Sequence, residues 1–347
     1  MQSAEKPIRV LIVDDSMLAR YVIKDGLSKY TGIQVVGEAA SAKEAYSKLQ
    51  TLKPDVMTLD VEMPGTNGID FVKSLLPQYP IPIILVSAVN LRVFDALAVG
   101  AVDFVRKPDT AKPGGNERFV ATLSGKIRTA SKAHVRRPVQ RVSLPHLASL
   151  RADAGRVETI IGLGASTGGT EATLEVLKDL PANTPGIVVV QHMPPGFTQM
   201  YAERLNRICK MSVKEAANGD VIERGKVLIA PGEKQMRVVQ VGQRYTVSCL
   251  PGERVSGHCP SVDALFHSMA KNVRCHMVGI IMTGMGSDGA RGLLEMRKQG
   301  AFTIGQDKES SVVYGMPMVA QNIGAVMEQA SCGAISNVLI QHLNSLA

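Results

Sequence analysis

The chain has 347 residues, of which 45% are apolar, and carries a formal net charge of +8. This length suits two ordinary domains, and no apolar run reaches the roughly 18 residues that a membrane-spanning helix needs. The five cysteines form no CxxC pair and the N-terminal residues lack a signal-peptide pattern, so we expect a cytoplasmic protein without disulfides or membrane insertion.

Residues 1–130 alternate short strands with helices. Five runs rich in Val and Ile predict strands, namely IRVLIVDD, GIQVVGEA, PDVMTLD, IPIILVSA and AVDFVRKP. Between them, stretches such as SAKEAYSKLQTL place apolar residues at the spacing of one helix face. This alternation predicts a doubly wound parallel sheet with helices on both faces.

Polar side chains stand where these predicted strands end. In chain order they are Asp14, Asp15, Asp60, Ser87 and Lys107. Because the carboxyl ends of parallel strands meet at one edge of a sheet, we expect the three carboxylates to share a crevice. Close carboxylates repel one another unless a cation joins them, and their oxygens suit Mg²⁺. A carboxylate in such a site is well placed to attack a phosphoryl group and hold the resulting acyl phosphate.

Most of the net charge lies in one stretch. Between Lys126 and Arg156 there are eight Lys or Arg residues and one Asp, a net charge of +7. Together with Pro138 and Pro145, this composition predicts a basic interdomain linker over residues 131–156. The linker is either a solvated connector or a contact for nucleic acid or an anionic surface. No aromatic residue is interleaved for base stacking, so we favour the connector and expect no nucleic-acid partner.

A second alternation of strands and helices occupies residues 157–347. Its predicted strands include ETIIGLG, GIVVVQHM, KVLIAPG, HMVGIIMTG and AFTIGQD. Within this region, QMRVVQVGQRYTVSCL contains two strand-like runs around Gly242 and Gln243, which is a β-hairpin signal. The predicted fold class is therefore α/β, with two doubly wound parallel-sheet domains and a hairpin in the second domain.

The segment GLGASTG, after the first strand of this second region, allows two interpretations. As a dinucleotide-binding loop it lacks the third glycine, which is Thr167, and the next strand ends in Gln191 and His192 without an acid. As G-x-S-x-G on a strand–turn–helix, it presents Ser166 as a nucleophile. His192 and Asp288 then stand at the ends of two further strands as base and acid.

The order Ser, His, Asp along the chain differs from the order Ser, Asp, His of the α/β-hydrolases, so the G-x-S-x-G match does not predict that fold. Structural roles remain open for two of the residues. His192 can be a hydrogen-bonded histidine at a strand end, and Asp288 precedes a predicted helix that it can cap.

The acidic cluster resembles the receiver domain of two-component response regulators over residues 7–125. The resemblance implies a flavodoxin-like five-stranded fold with Asp60 as the phosphorylated residue. It implies that Mg²⁺ is held by Asp14, Asp15, Asp60 and the backbone carbonyl of Glu62. It also implies that the switch residues are Ser87, Phe104 and Lys107.

The second region looks like the catalytic domain of the chemotaxis protein-glutamate methylesterases. The motifs that carry this resemblance are GASTGG, QHMPPGFT, PSVD, TGMGSDGARGL and ESSVVYGMP. A receiver followed by this domain is that family's architecture. The resemblance implies that Ser166 is the nucleophile, His192 the general base and Asp288 the orienting acid. It further implies that Met285 donates its backbone N–H to the oxyanion.

This resemblance implies a phosphorylation-activated serine esterase that demethylates glutamate methyl esters on chemoreceptors, releases methanol and also deamidates receptor glutamines. The implied partners are chemoreceptor cytoplasmic domains and a chemotaxis histidine kinase that donates the phosphoryl group. The resemblance also implies that the unphosphorylated receiver covers the active site. We expect a monomer with no cofactor at the hydrolase site. The chain departs from the family at Cys259 and Met318, where arginines are expected. The rival hypothesis is an output domain that only binds nucleic acid or a protein.

Overall fold

The computed structural model describes residues 6–63, 68–88, 92–108, 114–135, 150 and 158–346. The chain divides into two compact units, with the division between Arg141 and Val142. Most of the predicted linker lies outside the described residues, and the boundaries at residues 130 and 157 remain predictions. Across the described ranges, no helix is both long and apolar enough to cross a membrane.

The first unit is built on a five-stranded sheet. Its strands are β1 (Ile8–Val13), β2 (Ile33–Ala39), β3 (Val56–Asp60), β4 (Ile83–Ser87) and β5 (Asp103–Arg106). Its described helices are α1 (Met17–Ser28), α2 (Ala42–Leu52), α3 (Gly68–Leu75), α4 (Arg92–Ala98) and α5 (Gly115–Ala130). The strands lie in the order β2-β1-β3-β4-β5 and pair in parallel. This is the flavodoxin-like order, so the predicted fold of this unit is confirmed.

Local sequence explains these elements. Strands β3 and β4 are buried along their whole length, because helices cover both faces of a parallel sheet. Helices α1 and α2 begin after Ser16 and Ser41, whose hydroxyls accept hydrogen bonds from backbone N–H groups of the first turn. The strand order reverses between β1 and β3, and a crevice forms at such a reversal, beside the carboxyl ends of both strands.

The second unit contains a seven-stranded sheet and a separate hairpin. Its strands are β6 (Thr159–Ala165), β7 (Gly186–Gln191), β8 (Ser212–Glu215), β9 (Lys226–Ile229), β10 (Gln235–Val241), β11 (Arg244–Leu250), β12 (His276–Ile281), β13 (Phe302–Gln306) and β14 (Glu328–Ala330). Its described helices are α6 (Gly169–Leu177), α7 (Phe197–Ile208), α8 (Val262–Asn272), α9 (Ala290–Lys298), α10 (Met316–Asn322) and α11 (Ile335–Ser345). The sheet order is β14-β13-β12-β6-β7-β9-β8, with every pair parallel.

The predicted β-hairpin is confirmed as β10 and β11, which pair in antiparallel register around Gly242 and Gln243. The edge strands β8 and β14 were not predicted. They are four and three residues long and partly exposed, so they lack the continuous apolar run by which an interior strand is recognised.

Helix α8 connects the hairpin to the sheet. Its Phe266 and Met269 belong to the same buried core as Val238 and Val247 of the hairpin. The hydroxyl of Ser268 accepts a hydrogen bond from the N–H of Val238 at 2.8 Å. Strand β6 lies at the centre of the sheet, between β12 and β7. The strand order reverses there, so the carboxyl end of β6 opens into a crevice.

Candidate functional sites

The predicted acidic cluster forms at the carboxyl edge of the first sheet. Asp14 and Asp60 are buried, whereas Asp15 is exposed. One carboxylate oxygen from each of the three residues lies within 4.8 Å of the others. Lys107, which follows β5, places its Nζ 2.6 Å from Asp60 Oδ2 and 3.2 Å from Asp14 Oδ2. The first unit thus brings three carboxylates and a lysine together.

The electrostatics of this cluster favour a bound cation. Burial raises the pKa of Asp60, against the effect of hydrogen bonds from Lys107 and from the backbone N–H of Glu62. For Lys107, burial lowers the pKa, but contacts with Asp60 and Asp14 outweigh that effect and raise it. The lysine therefore stays protonated. Three hard oxygen donors at these distances fit Mg²⁺, and a divalent cation offsets the repulsion among them.

Two buried side chains lie on the neighbouring strands. Ser87 ends β4 with no solvent exposure, and its Oγ has no hydrogen-bond partner among the described residues. A buried hydroxyl without a partner is costly, which fits a group that engages an incoming phosphoryl oxygen. Phe104 is buried on β5 and packs edge-on against Phe94, with ring centroids 6.3 Å apart.

Ser166 occupies the turn between β6 and α6, and its backbone is fixed by three hydrogen bonds. Its N–H donates to the carbonyl of Thr283 at 2.9 Å, and its own carbonyl accepts from the N–H of Gly169 at 2.7 Å and from Gln191 Nε2 at 2.8 Å. Gly168 has a φ of +78°, which a residue with a side chain adopts only with strain. The turn leaves Ser166 partly exposed.

His192 lies between Ser166 and Asp288. Its Nδ1 is 3.1 Å from Ser166 Oγ, and its Nε2 is 2.7 Å from Asp288 Oδ2. A carboxylate only accepts hydrogen bonds, so Nε2 carries the proton and Nδ1 is left as an acceptor for the serine hydroxyl. The three side chains come from the ends of β6, β7 and β12, which are neighbours in the sheet.

Asp288 also binds the N-terminus of a helix other than the expected one. The sequence allowed it to cap the helix that follows it, but the N-cap of α9 is Gly289. The carboxylate instead accepts hydrogen bonds at the N-terminus of α8. The donors are the Ser261 hydroxyl and the backbone N–H groups of Val262 and Asp263, at 2.8–2.9 Å. The carboxylate lies there because α8 offers unpaired N–H groups.

These contacts determine the charge of Asp288. Burial by itself raises the pKa of this carboxyl, but the hydrogen bond and charge of His192, with the donors of α8, hold the pKa below its ordinary value. Asp288 is therefore ionised at neutral pH. An ionised acid at Nε2 can stabilise a positive charge on the His192 ring.

The glycines before Ser166 have a packing role. A Cβ on Gly164 would lie 2.2 Å from Val262 Cγ1, and a Cβ on Gly162 would lie 2.6 Å from Met269 Sδ. Both glycines therefore let α8 approach β6 closely. The G-x-G pattern that suggested a phosphate loop is accounted for by this helix contact.

Met285 lies on the rim of the site. It follows Gly284, whose backbone is so close to Ser166 that a Cβ on the glycine would lie 2.7 Å from the serine Cβ. Within the described residues the N–H of Met285 donates no hydrogen bond. Its side chain is 37% exposed, and Met318 on α10 is 40% exposed.

Three residues of this site received no role from the sequence. His258 stacks on His192, with ring centroids 3.8 Å apart and planes inclined by 10°. Ser261 holds Asp288, and buried Gln235 accepts a hydrogen bond from the N–H of Ser261 at 2.9 Å. Ser261 was accessible to sequence analysis as an N-cap before an apolar helix. Cys259 is half-buried in the same loop.

The fold and the two sites are those of a response-regulator receiver unit followed by an α/β unit in which Ser, His and Asp side chains contact one another. Family models match both parts: the response regulator receiver domain over residues 10–112 and the CheB methylesterase over residues 161–339. The chain belongs to the CheB methylesterase family.

Curated relatives match nearly the whole chain. A protein-glutamate methylesterase/protein-glutamine glutaminase 2 of Syntrophomonas wolfei is 51% identical over 98% of both chains. A protein-glutamate methylesterase/protein-glutamine glutaminase of Salmonella typhimurium is 40% identical over 97% of both chains. The catalytic domain of Thermotoga maritima CheB methylesterase, in a crystal structure, is 34% identical with a TM-score of 0.52. That similarity covers 53% of this chain and 97% of the Thermotoga chain.

Proposed function

We propose that this chain hydrolyses the γ-methyl esters of specific glutamates on chemoreceptors and deamidates specific receptor glutamines. The observation that carries the proposal is the unbroken contact from Ser166 Oγ through His192 to Asp288, at 3.1 and 2.7 Å. The names of the relatives supply the substrate class. The free state of all five cysteines suits a reducing compartment, so we place the reaction in the cytoplasm.

Ester hydrolysis follows from this arrangement in two stages. Ser166 Oγ attacks the ester carbonyl while its proton passes to His192 Nδ1, and the carbonyl oxygen becomes an oxyanion. When the intermediate collapses, His192 returns the proton to the departing methoxide, which leaves as methanol. Water then attacks the acyl-enzyme by the same route and releases glutamate. With a glutamine amide, ammonia leaves in place of methanol.

We assign the N–H of Met285 to the oxyanion. A preorganised donor aimed at the developing charge stabilises the transition state without reorganisation. The support for this assignment is the backbone contact between Gly284 and Ser166, together with the unused N–H of Met285 within the described residues.

The receiver unit is proposed to control this activity through an acyl phosphate on Asp60. It forms when the Asp60 carboxylate attacks the phosphorus of a phosphohistidine on the kinase, the N–P bond breaks and the kinase histidine leaves. Mg²⁺ would be held by Asp14, Asp15, Asp60 and the carbonyl of Glu62, and would neutralise charge on the phosphoryl oxygens. Lys107 and the buried Ser87 hydroxyl contact the phosphorylated group from the neighbouring strands. The burial of Ser87 on β4 and of Phe104 on β5 supports a switch at these positions.

Release of methanol from methylated receptor membranes tests the proposal. The full chain with acetyl phosphate and Mg²⁺ should release methanol, and Ser166→Ala should reduce the release to background. His192→Ala should be nearly as severe, since no other base contacts Ser166 Oγ among the described residues. Wild-type turnover by Ser166→Ala would overturn the assignment of the nucleophile. Receptor peptides with apolar or acidic flanking residues would show how Cys259 and Met318 affect substrate choice.

A further inference from the structure

His258 covers one face of the proposed general base. The two rings are 3.8 Å apart between centroids and nearly parallel, at 10°. The side chain of His192 retains only 10% of its exposure. The two imidazole rings therefore stack face to face, and His258 shields one face of the His192 ring from solvent.

The loop that carries His258 is held in place from two sides. Val255 and His258 exchange two backbone hydrogen bonds, of 3.0 and 2.9 Å, across a tight turn. Ser256 and Gly257 in that turn have φ values of +50° and +82°, as a turn of this kind requires. The Nε2 of Gln235, which is buried in the hairpin, donates to the carbonyl of His258 at 2.9 Å.

The contacts of His192 with Ser166 and Asp288 do not restrict every rotation of its imidazole ring. Two hydrogen bonds in the plane of the ring fix the line through Nδ1 and Nε2, but the ring can still tilt about that line. A flat group against the ring face opposes this tilt. The aromatic face also attracts the positive charge that His192 acquires when it takes the serine proton.

We propose that His258 is a positioning residue of the hydrolase site: its aromatic face fixes the plane of the His192 imidazole and stabilises the imidazolium formed in each proton transfer. The inference rests on the proposed role of His192 as the base. It requires the aromatic face and not a proton on His258. A phenylalanine at this position should therefore preserve the activity, whereas an aliphatic side chain of similar size should not.

The test compares His258→Phe and His258→Leu in the full chain, with acetyl phosphate and Mg²⁺ in every sample. The first readout is labelling by a fluorophosphonate probe. In that reaction Ser166 Oγ forms a bond to phosphorus, fluoride leaves, and the serine proton passes to His192. The second readout is kcat and KM for a small methyl ester. His267→Leu is the matched control, since His267 lies on α8 and contacts Glu295 at 2.6 Å.

We expect His258→Leu to lower the labelling rate and kcat about tenfold, the size of a cation–π contact at a shielded site, with KM unchanged. His258→Phe should stay within about threefold of wild type on the same grounds, and the control should equal wild type. Thermal unfolding checks each variant, and His258→Gln replaces the leucine variant if that one does not fold. Equal rates for the phenylalanine and leucine variants, or a change confined to KM, would overturn the inference. If wild type itself does not label at Ser166, the proposed function has failed instead.

Discussion

The carboxylate of Asp288 contacts both His192 and the first turn of α8. It accepts four hydrogen bonds, from His192 Nε2, the Ser261 hydroxyl and two backbone N–H groups. One side chain therefore holds the proposed general base and also completes the N-terminus of a buried helix. We therefore expect a substitution at this residue to affect both activity and stability.

The variant Asp288→Asn tests both expected effects, and comparison with a variant of Ser166 separates loss of activity from loss of stability. The asparagine NH₂ faces groups that donated hydrogen bonds to the carboxylate, so it does not orient His192 as the carboxylate did. We therefore expect kcat to fall roughly 10²- to 10⁴-fold. The free energy of unfolding should fall by about 1–3 kcal/mol, because buried donors lose their acceptor. Ser166→Ala is the control, which should lose activity with unchanged unfolding. An Asp288→Asn protein of wild-type stability would show that the contacts with α8 contribute nothing.

Asp60 is the proposed phosphoacceptor of the first unit. In Asp60→Asn the nucleophilic carboxylate is absent, so acetyl phosphate and Mg²⁺ should leave no acyl phosphate on the chain. Basal ester hydrolysis should persist, since Ser166 and His192 are unaltered. Intact-mass spectrometry after incubation with the phosphodonor measures the added phosphoryl group. An acyl phosphate mapped to Asp14 or Asp15 in the wild-type protein would contradict the assignment.

At the scale of elements, the approach of α8 to β6 determines where Asp288 is held. Gly164 permits that approach, because a Cβ would meet Val262 Cγ1 at 2.2 Å. The variant Gly164→Ala should therefore displace α8, lower the free energy of unfolding by about 1–3 kcal/mol and reduce kcat. Thermal unfolding and ester hydrolysis measure the two effects.

The matched control for that substitution is Gly125→Ala, on an exposed face of α5 where an added Cβ meets nothing within 4 Å. It should stabilise the first unit by about 0.5–1 kcal/mol through helix propensity. If Gly164→Ala proved as benign as this control, close packing of α8 on β6 would not position the site.

A second element contact predicts the pH dependence of stability. His342 on α11 places Nε2 2.8 Å from Nε2 of His276 at the start of β12, and its ring stacks on Phe302 at 3.9 Å. Burial, with the nearby His276, lowers the pKa of His342 from 6.5 to about 4. Burial also lowers the pKa of His276.

A histidine whose pKa is depressed in the folded state stabilises the fold above its unfolded pKa. The unfolded chain binds the proton first, so this contribution is lost as pH falls from about 6.5 towards 4. The variant His342→Gln keeps a donor for His276 but does not titrate. Its thermal midpoint should therefore fall less steeply than that of wild type over this range. Parallel curves for the two proteins would refute the prediction.

At the scale of the whole molecule, the division into two compact units predicts that the hydrolase unit folds by itself. A fragment of residues 157–347 should unfold cooperatively and hydrolyse methyl esters. It should ignore acetyl phosphate, whereas the full chain should respond. Phosphorylation can change the activity only by as much as it changes the free-energy difference between the inactive and active states of the full chain. A change of about 1.4 kcal/mol alters the active fraction up to tenfold.

Equimolar fragment and full chain, each with and without phosphodonor, provide the measurement. We expect the fragment to exceed the unphosphorylated full chain, as repression by the receiver requires. A folded fragment that is slower than the unphosphorylated full chain would indicate that the receiver helps to build the site or to bind the substrate.

The sequence by itself determined the first sheet, the interior strands of the second and the edge at which each site forms. Continuous apolar runs identified the interior strands, and parallel strands bring their carboxyl ends to one edge whatever the details of packing. Asp14, Asp60 and Lys107 could therefore be predicted as one cluster. Short edge strands could not, because β14 carries three residues and no apolar run.

Only the tertiary structure decided how the hydrolase side chains meet. Which nitrogen of His192 faces Ser166 depends on residues 26 and 96 positions away along the chain. That Asp288 completes α8 depends on the approach of a helix that Gly164 permits. The stacking of His258 on His192 likewise depends on a loop fixed by the hairpin. A local pattern determines which backbone elements form, whereas the orientation of a ring or carboxylate follows from contacts that exist only after those elements have packed.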